Sequence, residues 1–249
     1  ARAIQTRAVR DGDDWVINGQ KIFISGADKA DYGIVFARTD PEKGRDGVTC
    51  FIVETDTPGF HVRRIVHTLR TSAYPTELQF EDMRIPHANV LGEVNGGFRI
   101  ANDRLSRQRI PYAAGCIGVA IKAQELAIEY SKIRETFGGL LASRQSVQNM
   151  IIDNQVDIES ARWITLDAAH KAHRGEPFRK EAAMAKLVAT EAGWRVVDRA
   201  LQIHGGYGVT KDFPFERWLR EMRIRRIGEG PNEVQRLIIA RDLIGGSFH

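Results

Sequence analysis

The chain has 249 residues, 43% of them hydrophobic, which is enough for one large domain or two smaller ones around a sizeable core. Its formal charge of +4, from 36 basic and 32 acidic residues, is too small to point to nucleic acid. Two cysteines, Cys50 and Cys116, support neither a disulfide framework nor a cysteine zinc site, and they suit a reducing compartment. No apolar run is long enough to span a bilayer, and no signal or transit peptide is visible. The chain opens without an initiator methionine or a leader, as a fragment would.

From the N-terminus to about Pro86 the pattern favours strands. Residues 1–10 read as a strand, Asp11-Gly12-Asp13-Asp14 as a turn, and residues 15–17 as the returning strand. Asn18-Gly19 carries a strong hairpin signal. Further strands are expected over 21–25, 31–38, 48–54, 61–65 and 77–80, with a loop over 40–46 that contains Pro41 and Gly44. Many short strands with turns between them predict an antiparallel barrel or sandwich.

The second half is helical. Asn95-Gly96-Gly97 precedes a helical pattern running to about Arg134, which Pro111 should bend or break. Ser143 reads as the N-cap of the next helix. Val147, Ile151, Ile158, Ala161, Ala168 and Ala172 line one face of that helix, and Gly175 with Pro177 ends it. In the following helix Ala183, Leu187, Thr190, Trp194, Val197 and Leu201 alternate by four and three, a seam for packing against other helices. Gly205-Gly206 stops it, and a last helix runs from Pro231 to about Leu243. The expected architecture is α+β in two domains: the β-barrel or sandwich over residues 1–92, then an up-down four-helix bundle over 93–249.

Several motifs carry chemistry in principle. Glu229 sits between Gly228 and Gly230, and Pro231 suits the first position of a helix. The glycines would let another molecule approach the backbone, and a carboxylate held there out of water could act as a base. Taken alone, such a residue is more often an exposed turn carboxylate, and the helix N-terminus lowers its basicity. His204-Gly205-Gly206-Tyr207-Gly208 follows a helix and not a strand, so it fails the context test for a dinucleotide loop and reads as a helix C-cap. His170 and His173 have no convergent third ligand and read as a solvated helix end, so no metal site is expected. Arg220, Arg223, Arg225 and Arg226 interleave with Glu216 and Glu221, which favours a solvated or interface face; an anionic cofactor is a further option. Trp163 and Trp194 read as core or interface anchors.

Five segments, in order, carry a resemblance to the acyl-CoA dehydrogenases over essentially the whole chain. They are Asn18-Gly19-Gln20-Lys21-Ile22-Phe23-Ile24-Ser25; Arg134-Glu135-Thr136-Phe137-Gly138 with Gln145; Gln202-Ile203-His204-Gly205-Gly206-Tyr207-Gly208; Ile227-Gly228-Glu229-Gly230; and Gln235-Arg236 leading to Ile239-Ala240-Arg241. The resemblance implies that the two halves are the family's middle β-domain, without its opening strands, and its C-terminal helical domain. The family's N-terminal helical domain would not be part of this chain, which alone would then be unable to bind cofactor or turn over.

The implied reaction is FAD-dependent α,β-dehydrogenation of an acyl-CoA thioester, with electrons passed to an electron-transfer flavoprotein. By position Glu229 is the implied base. Some relatives carry it on the helix around residues 105–110, but that stretch reads Ser106-Arg107-Gln108-Arg109, with no carboxylate. Implied FAD contacts are Phe23, Ser25, Arg134, Thr136, Phe137, Gln145, Gln202, Gly205, Gly206, Pro231, Asn232 and Glu233. Ser106, Arg109, Gly230 and Arg241 are implied CoA-substrate contacts. Flavin shared across subunits implies a homotetramer or homodimer. The implied compartment is cytoplasmic in a bacterium and the mitochondrial matrix in a eukaryote. Gly228 stands where many relatives have tyrosine, which predicts a wider pocket and a branched or bulky acyl group. The alternatives are an oxygen-using acyl-CoA oxidase and a truncated, flavin-free structural or interaction module.

Overall fold

A computed structural model describes residues 4–245. The chain divides into two compact units, Ala1–Arg104 and Leu105–His249, with the cut inside one long helix. In the first unit, six strands form one sheet: β1 Arg7–Asp11, β2 Asp14–Ser25, β3 Tyr32–Arg38, β4 Val48–Glu54, β5 Phe60–Ile65 and β6 Pro75–Pro86. Their order is β4-β3-β1-β2-β6-β5. All neighbours are antiparallel except β1 and β3, which pair in parallel through Arg7 and Arg38. Alternate residues build the core: Trp15 and Ile17 of β2, Val35 and Ala37 of β3, Phe51 and Val53 of β4. Along β6 the inward set passes from Leu78 and Phe80 to Met83 and Ile85. That odd step would flip every later side chain in a regular strand.

A bulge restores the register, and it overturns the hairpin expected at Asn18-Gly19. Residues 18 and 19 lie inside β2, where its pairing with β6 shifts between Ile17 and Gly19. The Asn18 amide donates to Asp82 Oδ1 at 2.9 Å and its oxygen accepts from the Asp82 N–H at 2.9 Å. Asp82 takes a left-handed φ of 45°. The true hairpin turn is one step earlier, at Gly12-Asp13, between β1 and β2. Asn-Gly is ambiguous here because its side-chain clamp and its positive φ serve a bulge as well as a turn. A second irregularity, between Ile22 and Ile24, holds Phe23 at φ 61° with its ring exposed. The strand expected over residues 1–10 begins at Arg7; residues 1–3 lie outside the described residues.

The second unit is helical: α1 Gly97–Ile133, α2 Gln145–His173, α3 Arg179–His204, α4 Phe215–Arg225 and α5 Asn232–Ile244. A two-stranded hairpin, β7 Glu135–Thr136 and β8 Gly139–Leu140, joins α1 to α2. Of the bend or break expected at Pro111, the break does not occur. Pro111 lies within α1 on its exposed side, and the residues that follow, Ala113 and Cys116, are fully buried. Ser143 is not an N-cap: it belongs to a short 3-10 turn, where its hydroxyl donates to the Leu140 carbonyl at 2.7 Å. Pro231 is the residue before the first turn of α5 and not its first helical residue.

α3 is the hub, packed against α2, α4 and α5. The expected seam is only part of its buried surface. Ala182, Ala185, Ala189, Ala192, Val196 and Ala200 are buried as well, while Leu187, Trp194 and Leu201 are half-buried. Small side chains let neighbours approach from several sides. Gly193 is an instance: a Cβ there would lie 2.9 Å from the Met222 sulfur of α4. α4 was not expected from sequence, because its arginines hide a short amphipathic helix that buries Phe215 and Met222. Among the described residues no helix is long and apolar enough to cross a membrane.

Gly19 tests the bulge. Its φ is 140°, and a Cβ would sit 2.7 Å from the Thr6 Cα, which is backbone and cannot rotate away. Gly19→Ala should lower stability by about 2–3 kcal/mol, from strain plus overpacking. Urea unfolding with a midpoint equal to wild type would refute the assignment.

Candidate functional site

The helical unit carries Glu229 on a loop between α4 and α5. α4 ends in a last turn where the Ile227 and Gly228 N–H groups donate to the Ile224 carbonyl at 2.9 and 3.0 Å. The chain then reverses: Glu229 takes φ 54° and Gly230 φ 89°. The Asn232 N–H closes the loop by donating to the Arg226 carbonyl at 3.1 Å. A left-handed φ suits glycine and costs a residue with a Cβ about 1–2 kcal/mol. That conformation at Glu229 persists because the surroundings fix it.

The fixing group is Lys186 of α3, whose side chain has 0% exposure. Its ammonium donates to the Gly230 carbonyl at 2.9 Å, to Asn232 Oδ1 at 2.8 Å and to the Arg226 carbonyl at 3.3 Å. The Asn232 amide in turn donates to Thr190 Oγ1 at 3.1 Å and to Glu191 Oε1 at 2.8 Å. Glu191 also accepts from Arg226 Nε and Nη2, both at 3.0 Å. Gln235 of α5 is fully buried and donates to the Gly230 carbonyl at 2.9 Å. Both ends of the loop are therefore tied to one helix. Burial pushes the Lys186 pKa down to about 8.

Arg109 of α1, with 5% exposure, lies against the same loop. Its Nη2 is 3.9 Å from the place a Cβ would take on Gly230. Its Nε and Nη1 have no hydrogen-bond partner among the described residues. Burial lowers its pKa, as does the neighbouring Arg179 charge, while the Glu229 carboxylate opposes the shift. A cation here faces the expected base. Ser106, one turn earlier on α1, is also buried.

The room expected beside Glu229 from Gly228 is not open. A Cβ on Gly228 would lie 2.5 Å from the hydroxyl of Tyr112, on α1. The phenol of Tyr112 thus stands where the first atom of a side chain at 228 would be. Among the other residues expected near the base, Pro231, Glu233 and Arg241 are exposed. The Asn232 side chain has 3% exposure and faces inward, so it serves the loop.

A second constellation surrounds a hollow of about 480 Å³ in the same unit. Arg134, Thr136, Gln202, Gly205 and Gly206 line it, together with Tyr130, His204 and Tyr207. α3 ends at its rim, where Gly205 turns the chain at φ 57°. His204 is buried and stacked on Tyr130 at 4.3 Å. Its Nδ1 lies 2.8 Å from the Ala200 carbonyl, and its Nε2 is buried with no partner among the described residues. Burial lowers its pKa, so Nδ1 is the natural site of the single proton and Nε2 that of a lone pair. Phe137 does not line the hollow; it is 100% exposed at φ 49° on the β7–β8 turn. Arg144 grips that turn through the Thr136 and Phe137 carbonyls at 2.6 and 3.0 Å. Gln145, the first residue of α2, is exposed.

In the β unit, Phe23 and Ser25 lie exposed at the end of β2 with Ile22 and Ile24. Among the described residues no group of three histidines, cysteines or carboxylates could hold a metal ion. Lys186, Glu191, Tyr112 and Tyr130 stand at the candidate site or the hollow, and the sequence does not single them out. Lys186 has one legible signal: it lies between Ala182, Ala183, Ala189 and Thr190 on the face that packs inward, a charge where the pattern calls for a small apolar residue.

Comparison with known proteins agrees with this organisation. The profile for the acyl-CoA dehydrogenase C-terminal domain matches residues 95–244, and that for the acyl-CoA dehydrogenase middle domain matches residues 1–83. An acyl-CoA dehydrogenase of Bacillus subtilis is 41% identical over 99% of this chain and 65% of its own length. The structure of butyryl-CoA dehydrogenase from Megasphaera elsdenii superposes with a TM-score of 0.94 at 40% identity, over 98% of this chain and 64% of that one. PigA with FAD and proline superposes with a TM-score of 0.94 at 32% identity, over 97% and 63%. The chain thus spans less than two thirds of these relatives.

The Lys186 anchor has a pH signature. Because the folded pKa lies below 10.5, folding releases a proton between about pH 8 and 10.5, and stability rises with pH across that window. Lys186→Met lacks this proton. The wild-type stability advantage over the variant should therefore be larger at pH 10 than at pH 7.5 in paired urea titrations. An equal advantage at both pH values would refute a desolvated ammonium at this position.

Proposed function

The chain belongs to the acyl-CoA dehydrogenase family, and from that premise we propose that the protein containing it removes the α and β hydrogens of an acyl-CoA thioester, with Glu229 as the base. The observation that carries this reading is the clamped loop: a carboxylate at a left-handed φ, with both loop ends bonded to buried Lys186 and with buried Arg109 alongside. An α-proton beside a thioester is weakly acidic, so base and substrate must be held in line before reaction. A rigid loop gives that orientation without reorganisation. The α C–H bond breaks and its proton passes to the Glu229 carboxylate. The Glu229 N–H has no acceptor among the described residues and is a donor available to the thioester oxygen as negative charge develops there.

The cofactor we infer is FAD, which when bound accepts the β-hydrogen with its electron pair. The hollow beside the end of α3 suits its phosphate and sugar portion. Arg134 offers a planar cation, the Gly205 and Gly206 backbone can be approached closely, and the unpartnered His204 Nε2 is an acceptor for a hydroxyl. Thr136 and Gln202 add polar contacts to a neighbouring subunit's FAD, and Phe23 and Ser25 of the β unit are separate proposed flavin contacts. Tyr112 takes the room beside Gly228, which weighs against the branched or bulky acyl group expected from that glycine.

The assembly we infer is a homotetramer or homodimer with flavin held across subunits. Ile152, Val156, Trp163 and Leu166 form an exposed apolar stripe along α2, with Trp163 at 68% exposure, and Phe137 has no cover at all. An electron-transfer flavoprotein is the proposed acceptor, in the cytoplasm of a bacterium or the matrix of a eukaryote.

Two experiments test this reading. Glu229→Gln in the flavin-loaded enzyme should keep the visible spectrum and CoA-ester binding while slowing flavin bleaching by substrate on the order of 10⁴-fold. Bleaching at the wild-type rate would remove Glu229 as the base. Val156→Glu should give a smaller sedimenting species and a weaker flavin hold. An unchanged oligomer would place the interface elsewhere.

A further inference from the structure

Tyr112 stands three residues beyond Arg109 on α1, so both side chains leave the helix on the side of the Glu229 loop. A Cβ on Gly228 would meet the Tyr112 hydroxyl at 2.5 Å, its Cζ at 3.5 Å and the Ile224 carbonyl at 3.8 Å. Gly228 is not at positive φ, so its backbone tolerates a side chain and only the phenol refuses one. The ring has a partner on the loop side. The Arg225 guanidinium lies 4.5 Å from its centroid, a cation–π contact from the last residue of α4. Tyr112 and Gly228 thus behave as one volume divided between α1 and the loop.

We propose that Tyr112 sets the width of the acyl pocket beside Glu229. The proposal rests on the acyl-CoA dehydrogenase reading above. The α-carbon must reach the Glu229 carboxylate, which brings the first carbons of the acyl chain past residue 228. A phenol at that point leaves room for an unbranched chain and crowds a substituent on the α- or β-carbon. Specificity at this position lies with α1, and the residue at 228 reports it only through the space it yields.

The test uses the flavin-loaded enzyme as wild type and as the variants Tyr112→Ala, Tyr112→Phe, Gly228→Ala and the doubles that combine each Tyr112 change with Gly228→Ala. Anaerobic flavin bleaching is followed with butyryl-CoA and isobutyryl-CoA, and thermal unfolding is recorded for each protein. Wild type should favour the unbranched ester, and Tyr112→Ala should raise the branched-to-unbranched ratio of kcat/KM by about tenfold or more. Tyr112→Phe keeps the ring and the fold and should leave that ratio near wild type. Gly228→Ala alone should lower Tm by several degrees, and the loss should shrink in the Tyr112→Phe background, where the 2.5 Å contact no longer exists. A Tyr112→Ala enzyme that bleaches with an unchanged ratio would overturn the proposal, as would equal Tm losses from Gly228→Ala in every background. No bleaching of wild type by any ester would overturn the dehydrogenase reading and this role with it.

Discussion

One buried ammonium fixes the geometry of the candidate catalytic loop. Taking a lysine out of water is costly unless its protons find acceptors. Lys186 meets that demand with two loop carbonyls and the Asn232 side chain. Those carbonyls, Arg226 and Gly230, bracket Glu229, so the lysine cannot be satisfied unless the loop adopts one shape. The dependence runs both ways: release of the loop would leave an unpaired charge in the interior. Such a network holds the left-handed Glu229 more firmly than local preference could, since preference alone disfavours it.

The same helix end organises the second constellation. α3 carries Lys186, Thr190 and Glu191 near its middle and ends at Gln202–Gly206 on the rim of the hollow. One element therefore sets both the loop that holds the proposed base and the rim of the proposed cofactor hollow. Its run of alanines makes this possible, because a helix with small side chains can be surrounded closely by α2, α4 and α5. Where the helix needs polar contacts inside, they are paired among themselves; where His204 ends it, one ring nitrogen is left over on the side of the hollow.

The Gly228–Tyr112 pair shows how residue identity at one position can mislead. A glycine in place of a large side chain suggests a void, yet close packing rarely leaves one. Here the position is taken from 116 residues earlier in the chain, by a tyrosine of α1 that also meets Arg225. Asn18-Gly19 misleads in the same way: its clamp to Asp82, 64 residues away, converts a turn signal into a bulge.

The fold class was legible in the sequence because it rests on local periodicity. Strand alternation, helix repeats and the Gly205-Gly206 stop are all written within a few residues. Glu229, Arg134, Thr136, Gln202 and the two glycines could be named from contiguous motifs, and all of these but Glu229 line one hollow. The sequence alone therefore determined the passage from strands to helices, the family and the residue types proposed to meet a flavin and a thioester, while α4 and the β7–β8 hairpin went unread. Tertiary structure alone decided the bulge at Gly19, the anchoring role of Lys186, the inward turn of Asn232 and the filling of the Gly228 space by Tyr112. Each of these is a contact between segments distant in the chain, where volume and desolvation must balance in three dimensions, and no short-range pattern encodes that balance.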